Sequence, residues 1–96
     1  MDIFVDLLRH DPSADVRKAA LLQIDVNSLS IPAILERRRD VDTTIRKLFY
    51  STKMQEVDVI SLSIVQRDGI LKSGLTDREE IVIARFFFKL YFSFYA

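Results

Sequence analysis

The sequence predicts an all-α fold, a solenoid segment of about three antiparallel helix pairs. The first sign is an internal repeat. Asp11-Pro12-Ser13-Ala14-Asp15-Val16-Arg17-Lys18-Ala19-Ala20 returns 29 residues later as Asp40-Val41-Asp42-Thr43-Thr44-Ile45-Arg46-Lys47-Leu48-Phe49. Asp, a β-branched apolar residue, Arg and Lys keep the same offsets in both copies. A partial third copy starts at Asp77, with Val82 in the apolar slot and Ile83 in place of the Arg. Periods of this length between helical patterns mark stacked helical repeats, each burying its apolar face on a neighbour. Composition is the second sign: 49% hydrophobic residues exclude disorder, and two Gly and two Pro are too few for a turn-rich β protein. The third is periodicity, because strand-like alternation occurs only briefly, around residues 57–62.

Residues 2–9 read as a first helix, with Ile3, Phe4, Leu7 and Leu8 apolar, and residues 12–24 as a second. Asp11 is placed to cap the second, and Pro12 at its first position forfeits an N–H that has no partner there. Val16 opens its apolar stripe, continued by Ala19, Ala20 and Ile24. Asn27-Ser28-Leu29-Ser30 is a connecting loop. A third helix runs from about Ile31 to Arg38 and a fourth from Val41 to about Met54, with Asp40 as its cap and Ile45, Leu48 and Phe49 as its stripe. Residues 55–61 are polar, then β-branched. Ser63 and Gln66 have capping-box spacing at the head of a fifth helix that ends at Gly74, a natural left-handed C-cap. Gly69 inside it costs about 1 kcal/mol against Ala. Asp77 and Glu80 form a second box opening a last helix from Arg78. The repeats fall at about 2–26, 30–54 and 62–95 within one domain, residues 1–96.

The chain carries no catalytic pattern. Zero cysteines exclude a disulfide framework, a thiol nucleophile and thiolate metal sites, and the single His10 excludes multi-histidine ligation. There is no Gly-rich phosphate loop, nucleophile elbow or HExxH, so no enzyme, cofactor, metal or small-molecule substrate is expected. The start lacks a secretory signal, which suits a reducing compartment. Arg17 and Arg46 lie six residues after their Asp, within reach of the turn of their own or the adjacent repeat. Asp11, Arg17, Asp40 and Arg46 therefore read as a structural ladder, with Asp11, Asp40 or Asp42 as the partner carboxylates. Net charge is zero, so whole-chain steering toward nucleic acid is unsupported. Locally, Arg37, Arg38 and Arg39 close one helix and Arg46-Lys47 open the next, while Arg9, Arg17 and Lys18 match them one repeat earlier. Arg37, Arg38, Arg39 and Lys47 are either solvated helix-end cations, favoured by the helix dipole, or a stripe of DNA-phosphate contacts.

The run LLRHDPSADVRKAALLQIDVNSLSIPAILERRRDVDTTIRKLFY, residues 7–50, resembles the HEAT-repeat region of the CAP-G family of condensin subunits. Leu62-Ser63-Ile64-Val65-Gln66-Arg67, followed by Gly74-Leu75-Thr76-Asp77-Arg78, is similar to the continuation of that region. The resemblance covers roughly residues 3–80. It implies a piece of a long HEAT-repeat solenoid that partners the kleisin subunit of condensin, contacts double-stranded DNA and serves mitotic chromosome condensation. It implies no catalysis, and a location in the nucleus, on chromosomes, and in the cytoplasm. The chain starts inside what resembles the middle of that solenoid, which suggests a fragment.

The tail departs from the family pattern, reading Val82-Ile83-Ala84-Arg85-Phe86-Phe87-Phe88-Lys89-Leu90-Tyr91-Phe92-Ser93-Phe94-Tyr95-Ala96. Arg85, Lys89 and Ser93 place a narrow polar stripe on an apolar helix. Residues 81–96 are fewer than the roughly 20 that a bilayer span needs. Phe86, Phe87, Leu90, Tyr91 and Phe94 are expected to pack inward, and Phe88, Phe92 and Tyr95 to stay partly exposed. An apolar surface of this kind marks a partner or a membrane surface. The alternative function is thus a small helical module anchored by its aromatic C-terminal helix. The isolated chain is expected to self-associate through that helix, which light scattering at tens of micromolar tests. Deleting residues 86–96 should improve solubility at some loss of stability, and a monodisperse monomer with the tail intact would refute the expectation.

Overall fold

Each repeat opens with the same short turn, and that turn decides where its helix starts. The computed structural model describes the backbone of residues 3–95 and the side chains of residues 3–87. Among the described residues are six α-helices and no strand: α1 Ile3–His10, α2 Ala14–Gln23, α3 Ile31–Glu36, α4 Thr43–Ser51, α5 Ile64–Thr76 and α6 Glu80–Tyr95. Short 3-10 turns at Arg37–Arg39, Lys53–Gln55 and Val59–Ser61 link them. The carboxylates of Asp11, Asp40 and Asp77 each accept from the backbone N–H two residues on, of Ser13, Asp42 and Glu79, all at 2.9 Å. This Asx turn spends the Asp before the helix begins. The caps are accordingly Ser13, which accepts from Val16 N–H, and Asp42, which accepts from Ile45 N–H at 3.1 Å. Asp11 and Asp40 are not the caps that the sequence suggested, and Pro12 lies before α2 rather than at its first position.

Two further expectations at helix ends are corrected. Helix α6 begins at Glu80 rather than Arg78, because Asp77 serves the Glu79 turn instead of a capping box with Glu80. Helix α5 does carry its box, with Ser63 Oγ accepting from Gln66 N–H at 3.0 Å and Gln66 Oε1 from Ser63 N–H at 2.9 Å. It runs past Gly74 to Thr76, however, and no glycine has a positive φ. Gly74 is not a left-handed C-cap. It is small because the Phe86 ring of α6 lies directly on it, where a Cβ would overlap the ring atoms.

The buried stripe along α2 and its C-cap is Arg17, Ala20, Leu21 and Ile24, at helical spacing, and 29 residues later the stripe Arg46, Phe49, Tyr50 and Lys53, along α4 and the turn after it, repeats it. Val16, read as the start of the apolar stripe, is 36% exposed, because the stripe begins one residue later, on the Arg. Ile45 and Val82, its counterparts in the other copies, are fully buried. One contiguous core joins Leu8 of α1, Ala20 and Leu21 of α2, Ala33 to Leu35 of α3, Phe49 and Tyr50 of α4, Ile70 of α5, and Val82 and Phe86 of α6. Helix α1 packs on α2 and α3, α2 also on α4, and α6 on both α4 and α5. Tyr50 meets Phe49 and Phe86 edge to face, with ring centroids 4.8 and 5.6 Å apart. Phe87 is half exposed and so does not pack inward. The expectations for Phe88, Leu90, Tyr91, Phe92, Phe94 and Tyr95 fall on side chains outside the described residues.

Burial of Phe86 changes the truncation test: removing residues 86–96 takes out a core ring, whereas removing 88–96 spares it. Gly74→Ala should destabilise the chain by about 1–3 kcal/mol, the usual cost of overpacking a core. Gly69→Ala should be near neutral, since its Cβ would meet only the end of the Arg38 side chain and Ala gains about 1 kcal/mol of helix propensity. Urea melts of the two variants check the order.

Candidate functional site

Two buried arginines each bridge one repeat turn to the next, and a polar cleft lies beside the second bridge. Arg17 donates from Nε and Nη2 to Asp40, both at 3.0 Å, and from Nη1 to the carbonyls of Asp11 and Pro12. Arg46 repeats the pattern one copy later, with Nε to Asp77 Oδ2 at 2.9 Å, Nη2 to Asp77 Oδ1 at 3.4 Å and Nη1 to the Asp40 carbonyl at 2.7 Å. Each guanidinium thus binds the carbonyl of its own turn and the carboxylate of the next. The sequence reading proposed Asp11, Asp40 or Asp42 as carboxylate partners. For Arg46 the partner is Asp77, and Asp40 gives it only a backbone oxygen. The offset of the third copy was the signal: if Arg17 reaches Asp40, Arg46 reaches the Asp that opens the next copy.

Asp40 is fully committed. Its oxygens accept from Arg17 twice, from Arg37 Nη1 at 2.9 Å and from Asp42 N–H, filling the roughly four lone-pair sites of a carboxylate. Burial alone pushes this carboxyl up, but the Arg17 hydrogen bonds, the Asp42 N–H and the charges of Arg17 and Arg37 outweigh it. The carboxyl is held below its usual range. Arg17 moves the other way, raised chiefly by its hydrogen bond to Asp40. Tyr50 is pushed well above the usual phenol value by burial first and the Asp77 charge second. Its hydroxyl and Arg37 Nε have no hydrogen-bond partner among the described residues.

These contacts sort the four proposed phosphate ligands. Arg37 is spent on Asp40, with Glu36 at 3.9 Å. Arg38 donates to Ser73 Oγ at 3.2 Å and to the Leu35 carbonyl at 2.9 Å. Both are structural cations, poorly placed for an external phosphate. Arg39 is exposed and Lys47 half-buried, and neither has a partner among the described residues. Arg78, missed by the sequence reading, is likewise exposed and unpartnered among them. Arg39 and Arg78 line a cleft of about 330 Å³, together with Arg38, Asp40, Val41, Arg46, Ser73, Thr76 and Asp77. Among the described residues no group of three or more His, Cys, Asp or Glu is placed to hold a metal ion, and no helix is long and apolar enough to cross a membrane.

No family model matches the chain. It is 46% identical over 82 residues to condensin complex subunit 3 of Schizosaccharomyces pombe, covering 84% of this chain and 9% of that protein. The subunits of Xenopus laevis and Homo sapiens are 38% and 33% identical over 79 and 82 residues, covering 82% and 85% of this chain and 8% of each of theirs. A crystal structure of the S. pombe condensin Cnd3–Cnd2 subcomplex matches with a TM-score of 0.90 and 42% identity, over 95% of this chain and 12% of the matched one. This segment is similar in sequence and fold to condensin subunit 3. The chain spans less than a tenth of the length of these curated relatives.

Removing one partner from a buried ion pair leaves an uncompensated charge, so Asp40→Asn or Asp77→Asn should cost about 3–5 kcal/mol by urea denaturation. Double-mutant cycles should give coupling of about 1–3 kcal/mol for Arg17/Asp40 and Arg46/Asp77. Arg46/Asp40 should couple far less, since Arg46 uses only the Asp40 backbone. The lowered pKa of Asp40 carries a sign. Its contribution is complete above the unfolded carboxyl value of about 3.9 and is lost as pH falls through the depressed folded value. Asp40→Asn should therefore flatten the acid limb of the stability curve below about pH 4.

Proposed function

We propose that this chain is a non-catalytic HEAT-repeat segment of a condensin-type subunit, with repeats at about 2–26, 30–54 and 62–95. In this reading it acts in mitotic chromosome condensation, in the nucleus and on chromosomes, through contacts with the kleisin subunit and with duplex DNA. The observation that carries it is the match to a Cnd3 chain at 42% identity and a TM-score of 0.90. That chain was solved together with Cnd2, which supports a second-subunit contact. The repeat-bridging arginines support a stacked solenoid, because the same donor atoms join successive turns in the same register.

Exchanging this segment for the matching stretch of S. pombe Cnd3 tests the assignment. The chimera should express and still co-purify with Cnd2; a well-expressed chimera that leaves Cnd2 unbound would overturn it. For DNA, the free cations Arg39 and Lys47 carry the expectation rather than the spent Arg37 and Arg38. Binding to duplex should be independent of base sequence and fall with salt by about 0.9 log units per log unit for each phosphate neutralised. Arg39→Gln with Lys47→Gln should lower that slope by roughly two contacts at unchanged helicity, read by fluorescence anisotropy at several salt concentrations.

A further inference from the structure

The cleft between the turn before α4 and the turn before α6 belongs to neither bridge, yet its walls are set by the second. Arg46 and Asp77 belong to its lining, with side chains only 6% and 5% exposed. Arg38 is held against Ser73 on one side. Four guanidinium groups and two carboxylates line the cleft, and both carboxylates are already neutralised, Asp40 by Arg17 and Arg37 and Asp77 by Arg46. What remains unspent is Arg39 from one turn and Arg78 from the other. Ser73 adds a hydroxyl whose proton is free, since its oxygen accepts from Arg38. Val41, 82% exposed, supplies an apolar contact in the same lining.

We infer that this cleft binds a phosphorylated side chain of a partner polypeptide, with Arg39 and Arg78 as paired ligands and Ser73 as a hydroxyl donor. A phosphate monoester carries between one and two negative charges near neutral pH and three acceptor oxygens, which suits two guanidinium forks and a hydroxyl. A phosphodiester carries a single charge, and the backbone of a duplex lies on a convex ridge. An open cleft that offers two guanidiniums without a partner among the described residues, beside an apolar residue, fits a phosphoserine or phosphothreonine with an apolar neighbour better. Recognition of phosphorylated motifs by clustered arginines is a general mode of peptide binding. The inference stands apart from the duplex-DNA reading, which draws on Lys47 as well as Arg39.

The test is an NMR titration of the intact 96-residue chain with two capped peptides, Leu-phosphoserine-Leu and Leu-Ser-Leu. The phosphorylated peptide should saturate and shift Val41, Ser73 and the side-chain signals of Arg39 and Arg78. The unphosphorylated peptide should leave them in place. Arg39→Gln and Arg78→Gln should each weaken binding about tenfold or more. Because both residues are exposed and unpartnered among the described residues, neither substitution should shift the melting curve. Lys18→Gln, an exposed cation outside the cleft, should change nothing. Equal shifts from both peptides, or no shift at the cleft, would overturn the inference. So would a short DNA duplex that moves these signals in saturable fashion while the phosphopeptide does not, which would hand the cleft to the nucleic-acid backbone.

Discussion

The Arg17–Asp40 bridge and its copy, Arg46–Asp77, are the constraint on which the rest of the structure hangs. Each Arg sits at the head of a buried helical stripe, where an unpaired charge could not stay. Its three nitrogens are divided between a backbone carbonyl in its own turn and a carboxylate in the next. Lysine could not do this, since one ammonium cannot span two acceptors with a planar fork. The carboxylate is also divided, because the same Asp that takes the guanidinium folds its own turn by accepting the N–H two residues on. One residue pair therefore ties turn geometry, helix start and repeat register together. Buried ion pairs are weak evidence for net stability, since apolar replacements often serve as well. Their effect here is on register: a helix sliding by one residue would strand two charges in the core.

Much of this was legible in the sequence. The repeat, the helical class and the Asp/Arg pairing were visible because identical chemistry recurs at a fixed offset. The errors cluster where one side chain has two uses. Asp11, Asp40 and Asp77 look like helix caps, and a carboxylate before a helix ordinarily is one. Here Asp11 is taken by its turn, Asp40 and Asp77 by a turn and a guanidinium, and the caps of α2 and α4 pass to Ser13 and Asp42. Val16 looked like the first core residue because it is apolar, yet the stripe of α2 begins on the polar neighbour that has a partner waiting. Gly74 shows the same limit in another form. A glycine near a helix end suggests a left-handed cap, and nothing local signals that an aromatic ring from the next helix will lie on it.

Phe86 is a second organiser, subordinate to the bridges. It contacts Gly74 of α5 and Tyr50 of α4, so it locks the last helix pair onto the one before. The Arg46–Asp77 bridge holds the same two copies together at the turn. The third copy receives an arginine through Asp77 but offers none, because Ile83 stands at the offset of Arg17 and Arg46. Within this chain the bridge pattern therefore ends at Asp77.

The candidate site was harder to read than the fold, for an electrostatic reason. Three consecutive arginines draw the eye as a phosphate patch, but Arg37 helps neutralise Asp40 and Arg38 fastens the turn after α3 to α5. A buried carboxylate collects the nearest cations, and the cations it collects are lost to external ligands. Those left over are set by subtraction: Arg39 is exposed with no ion pair among the described residues, and Arg78 follows an Asp already satisfied by Arg46. Zero net charge is thus compatible with a locally cationic cleft, since the two carboxylates that line it are already paired. Binding capacity in such a repeat resides in what the bridges leave unpaired, and it can be located only after the bridges themselves have been assigned atom by atom.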